Sequence, residues 1–325
     1  MKTKTWRAIN SALRDAMRED KSVIVFGQDV AGPGGPYGLT RGLMDEFGDG
    51  RVRDAPISEA AIAGCAIGAS MMGLRPVVEI MFLDFIGLAL DQLVNNAAKY
   101  RFYLQDADGS APPLPIVIHT LYGGRASMGP QHSQSLEAWL CHVPGLQVAF
   151  PSTPQDAYGV LRTALTLDEP VIVIESISQL ADEDDLDVTM GAVAPGNSRT
   201  VRSGRRLTVV SYGPSVRSCE EAIASTGVDA ELIDLRWLSP WDADAVCTSV
   251  AKTSRLVIVH DAVEQAGFGA EIAATVAKDA FWALDYPIVR VGAQFSPIPV
   301  RRRDWARVLP SVDRVAQVLT EVAAG

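Results

Sequence analysis

Cysteine is scarce in this sequence, and its four copies lie far apart. Cys65, Cys141, Cys219 and Cys247 include no C-x-x-C pair. This spacing supports neither a disulfide framework nor a zinc site, because both need paired or clustered thiols. We therefore expect reduced cysteines that fill space in packed regions of the fold.

The chain also lacks an excess of positive charge and a long apolar run. It has 29 Lys and Arg residues against 39 Asp and Glu residues, a formal net charge of −10, which argues against binding to nucleic acid or to anionic membranes. The longest apolar stretch, Ala60 to Leu74, is too short to span a bilayer. The N-terminus carries charges throughout and no apolar signal-peptide core. We therefore expect a cytoplasmic protein whose chain begins with an amphipathic helix.

The sequence does contain a regular alternation of short β-branched runs and helical patterns. Strand patterns such as SVIVFG, RPVVEI, PIVIHT and PVIVIES are separated by helical patterns such as residues 83–104. This order predicts an α/β fold with a mainly parallel sheet covered on both faces. The 325 residues suffice for two domains. We place the first domain at residues 1–190, a polar linker at 191–206 and a second α/β domain at 207–325.

One acidic side chain, Glu59, opens the long apolar run. No other charge occurs before Arg75, and the helix predicted after Ser58 consists mainly of Ala, Gly, Ile and Met, so we expect it to be buried on nearly every side. A carboxylate in its first turn is favoured by the helix dipole and disfavoured by desolvation. Glu59 is thus either a carboxyl that exchanges protons or an exposed residue that starts the helix, and this stretch alone leaves both open.

Phe85 and His132 follow predicted strands, on the side where an open parallel sheet binds ligands. The ring of Phe85 either stacks on a planar ligand or belongs to the core. His132 lies in the loop GPQHSQSLEAW, near Gly123, Gly124 and Gly129, which allow a close approach of the backbone. It is either a functional group or a structural loop histidine.

Motifs that would hold a metal ion or a nucleotide are incomplete. GDG at residues 48–50 lacks the later asparagine that would complete a magnesium-diphosphate motif, and the glycine-rich loop at residues 32–38 lacks the Lys-Ser/Thr pair of a P-loop. We therefore predict no metal ligands in this chain.

Seven blocks occur in order along the chain: GQDV, YGLTRGL, PISEAAI, QLVNNAAKYR, QHSQSLEAW, DLRWLSPWD and GFGAEIAA. Together they resemble the β subunit of the decarboxylating component of 2-oxoacid dehydrogenase complexes, in its pyruvate, branched-chain and acetoin versions. The resemblance runs almost from end to end, and PISEAAI and QHSQSLEAW are specific to the family. It implies a pyrimidine-binding thiamine diphosphate domain followed by a transketolase C-terminal domain.

The resemblance also implies partners and cofactors. The family works as an α2β2 heterotetramer, in which the α subunit holds most of the thiamine diphosphate and Mg²⁺ while the β chain covers the aminopyrimidine. The implied reaction is oxidative decarboxylation of a 2-oxoacid, pyruvate-like or branched-chain, with acyl transfer to a lipoyl carrier. A lipoyl acyltransferase core is a further expected partner.

The resemblance assigns roles to four residues. Glu59 corresponds to the glutamate that hydrogen-bonds to the aminopyrimidine and promotes its imino tautomer. Phe85 corresponds to the aromatic residue that packs on this ring, with Met81 as a neighbour. His132 corresponds to the active-site histidine that contacts the substrate and helps to transfer the acyl group. Glu59 and His132 are thus the expected catalytic residues, and Glu59, Phe85 and Met81 the expected cofactor-binding residues.

Several places depart from the family pattern, among them the segment ESISQLADEDD, which replaces one that usually contains a basic residue and a Leu-Tyr pair. Gln28 stands where the family has an acidic residue, which alters any acidic relay. Leu167 and Glu169 stand where the family often has potassium ligands, so a bound K⁺ is left open. Arg301 to Arg303 replace an acidic pattern in the domain that commonly docks the acyltransferase core. Two other functions therefore stay open: acyl transfer to another acceptor, and a noncatalytic β chain that supports an α partner.

Overall fold

The computed structural model describes residues 2–32 and 34–325, which form two compact units. The first unit comprises the chain up to Tyr122 together with Trp139–Ala149 and Thr153–Ala194. The second comprises Gly123–Ala138, Phe150–Ser152 and Pro195–Gly325. The domain limits proposed from the sequence, 1–190 and 207–325, remain a prediction.

The β-branched runs of the first unit form strands, as the sequence predicts. These strands are β1 (Lys2–Lys4), β2 (Val23–Gly27), β3 (Val52–Asp54), β4 (Arg75–Ile80), β5 (Val117–Tyr122), β6 (Gln147–Ala149), β7 (Val171–Ser176) and β8 (Glu183–Asp185). Strands β2 to β7 lie in a parallel sheet in the order β6-β7-β5-β4-β2-β3, and β1 pairs with β8 antiparallel. Every residue of β5 and β7 is buried, as expected for central strands of a sheet covered on both faces.

The helices before residue 170 are α1 (Thr5–Glu19), α2 (Leu43–Phe47), α3 (Glu59–Met71), α4 (Ile86–Leu90), α5 (Ala98–Tyr103), α6 (Glu137–Cys141) and α7 (Pro154–Ala164). The amphipathic helix α1 packs against α7. The single helix predicted over residues 83–104 is interrupted, because a π-helical segment at Asp91–Ala97 separates α4 from α5. In this segment the amides of Asn95 and Asn96 donate hydrogen bonds to Asp91, and such side chains compete with backbone helix bonds.

The second unit repeats the α/β pattern. Its strands are β9 (Arg199–Arg202), β10 (Leu207–Ser211), β11 (Ala230–Asp234), β12 (Trp237–Ser239), β13 (Leu256–Val263) and β14 (Val289–Ala293). Its helices are α8 (Ser215–Thr226), α9 (Ala243–Thr253), α10 (Gly269–Asp279), α11 (Arg302–Trp305) and α12 (Val312–Ala324). Five strands form a sheet in the order β14-β13-β10-β11-β9, in which β9 alone runs antiparallel to its neighbour. In the part of the chain that the structure describes, no helix is both long and apolar enough to cross a membrane.

Three ionisable side chains lie on one face of the first sheet, in its buried centre. Glu79 on β4 is in register with His119 on β5. Glu175 on β7 is in register with Leu121, two residues beyond His119, and therefore projects from the same face. His119 Nδ1 lies 2.7 Å from Glu79 Oε2. Each of these three side chains is buried, so their charges interact in a medium that screens them poorly.

Burial and neighbouring charges raise the pKa of two of these groups. Burial alone would lower the pKa of His119, but the carboxylate of Glu79 outweighs that effect and the net shift is upward. Burial raises the pKa of Glu175 to about 8, and the charges of Asp156 on α7 and of Glu79 add to this while His119 opposes it. His119 and Glu175 therefore hold their protons more strongly in the folded chain than in the unfolded chain.

A raised pKa in the folded state stabilises the fold below the unfolded pKa, and the stabilisation is lost as the pH rises through the folded pKa. The free energy of unfolding is therefore expected to fall between about pH 5 and about pH 8, the window of the Glu175 shift. Glu175→Gln removes one titrating group and should reduce this slope, as measured by urea unfolding at a series of pH values. Glu183→Gln, on the exposed strand β8, is the control and should retain the original slope. An unchanged slope in Glu175→Gln would contradict the assignment.

Candidate active site

Glu59 is the first residue of α3, and its side chain is buried although the residues before it are exposed. Only 5% of Glu59 is accessible. Its Oε1 accepts a hydrogen bond of 3.2 Å from Nε2 of Gln28, which follows β2 directly. A carboxylate at this position also faces the positive end of the α3 dipole. The structure therefore holds a buried carboxyl group against a neutral amide at the carboxyl edge of the sheet.

Side chains of the first unit also fix the loop that follows Gln28. The carboxylate of Asp54, at the end of β3, accepts hydrogen bonds from the amides of Ala31 (2.7 Å) and Gly32 (3.3 Å). The hydroxyl of Thr40 donates to the carbonyl of Val30 at 2.6 Å. Because these contacts hold the chain just after Gln28, they also restrict the amide that faces Glu59.

Met81 and Phe85 follow the next strand of the sheet, β4. Phe85 ends a short 3₁₀ helix, Leu83–Phe85, and both Met81 and Phe85 are partly exposed. The ring of Phe85 meets that of Phe82 edge to face, with centroids 6.0 Å apart and planes at 88°, a favourable arrangement for two aromatic rings. Phe85 is thus supported by a buried neighbour while part of its own surface remains accessible to a ligand.

The sequence predicts that helix α3 is buried on nearly every side. This prediction is wrong for the single chain, in which one side of α3 is exposed. The helix packs on β4 and α4, which cover only part of its surface. Its exposed residues are Ala60, Ala61, Cys65, Gly68 and Met71. Cys65 therefore does not have the packing role expected of it, whereas Cys219 is buried. The uniformly apolar composition predicted burial but could not show that this chain alone leaves one face uncovered.

A cavity of about 560 Å³ in the first unit borders the exposed side of α3. It is lined by residues of α3, by β2 and by the segment around β3, among them Asp54, Ser58, Ala61, Ile62, Cys65 and Ala69. Its size lies within the range of small-molecule or side-chain pockets.

His132 belongs to the second unit, whereas Glu59, Phe85 and Met81 belong to the first. It ends the 3₁₀ helix Pro130–His132 and is partly buried. A Cβ atom on Gly123 would overlap the carbonyl oxygen of His132, so only glycine fits there. The hydroxyl of Ser133 donates to the carbonyl of Gly123 at 3.2 Å. These contacts bring the two ends of the segment 123–133 together.

Four residues around this segment are not predicted from the sequence as parts of a site. Arg125 forms two hydrogen bonds of 2.6 Å with Asp261, which is 136 residues away. Glu137 accepts a hydrogen bond of 2.8 Å from the hydroxyl of Tyr212, 75 residues away. Local patterns cannot reveal partners at such separations. The sequence offers only two signals of these contacts: Arg125 is a lone arginine in a glycine-rich loop, and Glu137 is an acidic residue within the QHSQSLEAW block.

Comparison with known families supports the predicted fold. Residues 1–182 match the family model of the transketolase pyrimidine-binding domain, and residues 196–315 match that of the transketolase C-terminal domain. The predicted class, an α/β pyrimidine-binding domain followed by a transketolase C-terminal domain with mainly parallel sheets, is thereby confirmed.

Three curated relatives span nearly the whole chain. The chain is 38% identical over 330 residues to the β subunit of acetoin:2,6-dichlorophenolindophenol oxidoreductase of Bacillus subtilis (strain 168), an alignment that covers 97% of this chain and 95% of the relative. It is 37% identical over 316 residues to the pyruvate dehydrogenase E1 component subunit β of Leifsonia xyli subsp. xyli, with 96% and 92% covered. It is 38% identical over 304 residues to the mitochondrial 2-oxoisovalerate dehydrogenase subunit β of Dictyostelium discoideum, with 92% and 81% covered. The resemblance seen in the sequence is confirmed, and the chain belongs to the transketolase-like family of β subunits of pyruvate, branched-chain 2-oxoacid and acetoin dehydrogenases.

Proposed function

We propose that this chain is the β subunit of an α2β2 thiamine-diphosphate-dependent enzyme that decarboxylates a 2-oxoacid oxidatively and passes the acyl group to a lipoyl carrier. The observation that carries the proposal is the buried carboxyl of Glu59, held by the amide of Gln28 at the carboxyl edge of the sheet. A pyrimidine ring nitrogen is a hydrogen-bond acceptor, and a protonated carboxyl in a dry site is a suitable donor to it. The donor set therefore fits an aminopyrimidine.

Each candidate residue has a defined task in this proposal. Thiamine diphosphate, when bound, supplies the carbon nucleophile and the electron sink. Glu59 would hold a proton at one carboxyl oxygen and present it to the ring nitrogen of the bound cofactor, while Gln28 orients the carboxyl group through the other oxygen. Phe85 and Met81 offer an apolar surface to the flat ring. His132 contacts the substrate and assists acyl transfer.

The exposed apolar face next to Glu59 supports the need for a partner. Ile57 and Met72, at the two ends of α3, are 81% and 84% exposed. Exposed apolar surface of this kind commonly marks a protein interface. We propose that an α subunit covers this face and supplies the ligands for the diphosphate and Mg²⁺, and that the tetramer works in the cytoplasm. The same proposal leaves open whether the tetramer binds K⁺ and whether it docks to a lipoyl acyltransferase core.

A second candidate reaction is oxidation of acetoin, a hydroxyketone without a carboxylate. It is favoured by the B. subtilis relative, whose name states an acetoin reaction with 2,6-dichlorophenolindophenol. A 2-oxoacid carries a carboxylate that the substrate pocket must neutralise, whereas acetoin does not. The measured preference for one substrate over the other therefore distinguishes the two candidate reactions.

The first test is turnover of this chain co-expressed with its α partner, with thiamine diphosphate and Mg²⁺ present. Pyruvate, 2-oxoisovalerate and acetoin are offered with 2,6-dichlorophenolindophenol as electron acceptor. We expect turnover of one substrate class only when both chains are present, because the site is shared, and loss of turnover when Mg²⁺ is chelated. Absence of turnover from an intact, cofactor-bound tetramer would instead support a noncatalytic β chain.

Glu59→Gln is expected to lower kcat by at least about 100-fold, because a carboxamide cannot exchange the proton. The tetramer should still assemble, since the substitution preserves the shape of the side chain, and mass photometry can verify this. The matched control is Glu271→Gln, which alters a first-turn glutamate of α10 that is exposed. Equal activity in Glu59→Gln and Glu271→Gln would rule out the proposed role of Glu59.

A further inference from the structure

The segment 123–138, which carries His132, is held near its start by contacts with the rest of the second unit. The guanidinium of Arg125 donates from Nε to Asp261 Oδ2 and from Nη2 to Asp261 Oδ1, each at 2.6 Å. Nη2 also donates to the carbonyl of Pro310 at 2.9 Å. Such a bidentate, charge-assisted pair fixes orientation as well as distance. The start of the segment is therefore held by two distant parts of the chain.

The carboxylate of Asp261 is held in place by contacts other than the one with Arg125. It lies on β13, and its carboxylate is almost completely buried. The hydroxyl of Ser215, the first residue of α8, donates to Asp261 Oδ1 at 2.7 Å. The strand and the helix thus present one oriented carboxylate to the guanidinium of Arg125.

A second anchor lies near the end of the segment. The buried carboxylate of Glu137 accepts hydrogen bonds from the hydroxyl of Tyr212 (2.8 Å) and from that of Ser135 (2.7 Å). Tyr212 follows β10 directly, and its ring lies nearly parallel to that of His260 on β13, with centroids 6.0 Å apart and planes at 15°. Tyr212 is therefore a donor with little freedom to move.

The backbone between these anchors adopts conformations that need support. Arg125 and Ser127 have φ values of +65° and +58°, in the left-handed region that residues other than glycine seldom occupy. Such residues persist where the surroundings determine their conformation, and they concentrate at functional sites. The two anchors are the surroundings that determine the conformation of Arg125 and Ser127. His132 is the candidate functional residue in the same segment.

We infer that Arg125, Asp261, Glu137 and Tyr212 are positioning residues that join the segment 123–138 to the rest of the second unit and thereby set the place of His132. The inference rests on the proposed function, because it assumes that His132 acts on the substrate. A displacement of about 1 Å in a catalytic group can cost about 100-fold in rate. Two anchors that flank His132 restrict such a displacement from both sides.

The test uses Tyr212→Phe in the co-expressed holoenzyme, since this change removes one hydroxyl and keeps the buried ring. The control is Tyr158→Phe, because Tyr158 is also a buried tyrosine, and its hydroxyl donates to the carboxylate of Asp15 at 3.0 Å within the first unit. We expect kcat to fall about 10-fold or more in Tyr212→Phe and to stay near its original value in Tyr158→Phe. Arg125→Lys, which keeps the charge but loses the bidentate geometry, provides an independent variant at the other anchor.

A double-mutant cycle separates positioning from general stability. If Tyr212 acts through His132, Tyr212→Phe should cause almost no further loss of kcat in a His132→Ala background. The same fold-loss in both backgrounds would overturn the inference, as would an unchanged kcat in both Tyr212→Phe and Arg125→Lys.

Hydrogen exchange of the segment 123–138 gives a readout that does not depend on turnover. Exchange should become faster in Tyr212→Phe and in Arg125→Lys than in Tyr158→Phe, because the anchors restrain this backbone. Unchanged exchange in both anchor variants would overturn the anchoring. If the original complex shows no turnover on any substrate while exchange responds as expected, the proposed function fails and the anchoring stands.

Discussion

The parallel order of β4, β2 and β3 determines where the candidate site forms. Neighbouring parallel strands end at the same edge of a sheet, so the residues that follow them gather there. Gln28 follows β2 directly, Met81 follows β4 directly, and Glu59 starts the helix that comes after β3. Because the carboxylate of Asp54 accepts hydrogen bonds from the amides of Ala31 and Gly32 and so fixes the loop after Gln28, the edge is organised by this chain's own contacts.

Three buried acids of this chain, Asp261, Glu79 and Glu59, have different kinds of partner. Asp261 faces the guanidinium of Arg125, which stays protonated at any physiological pH, so this pair is a fixed restraint. Glu79 faces His119, and the charge of this carboxylate outweighs burial and raises the pKa of the imidazole. Glu59 faces an amide, which does not titrate at all. A fixed ion pair, a carboxylate paired with an imidazole and a carboxyl group held by an amide therefore occur at different places in the fold.

The elements that follow from local pattern could be predicted from the sequence. The β-branched runs of β5 and β7 and the amphipathic pattern of α1 specify their own structure. The start of α3 at Glu59 follows from the change from turn residues to an alanine-rich run. Glu59, Phe85 and His132 could be singled out from their local context, but their roles come from the family resemblance and remain proposals.

Features that depend on register, on distant contacts or on another chain could not be predicted. The pairing of Glu79 with His119 requires the register of β4 and β5, which neither strand contains by itself. The hydrogen bond from Gln28 to Glu59 requires two segments that are 31 residues apart. The exposure of α3 has a different origin, because its composition is that of a buried helix and the chain alone does not bury it.

The amide of Gln28 limits what Glu59 can do within this chain. An amide can orient a carboxyl group, but it cannot share or relay the proton of that group. No other ionisable side chain in residues 2–32 and 34–325 is hydrogen-bonded to Glu59, so any proton that it exchanges has to come from a ligand, from water or from a second chain. Covering the exposed face of α3 would exclude water from the region beside Glu59 and strengthen its hydrogen bonds, because the local dielectric constant falls. The proposed proton exchange at Glu59 therefore depends on the proposed assembly with an α subunit, because that assembly would cover the region beside this carboxyl group.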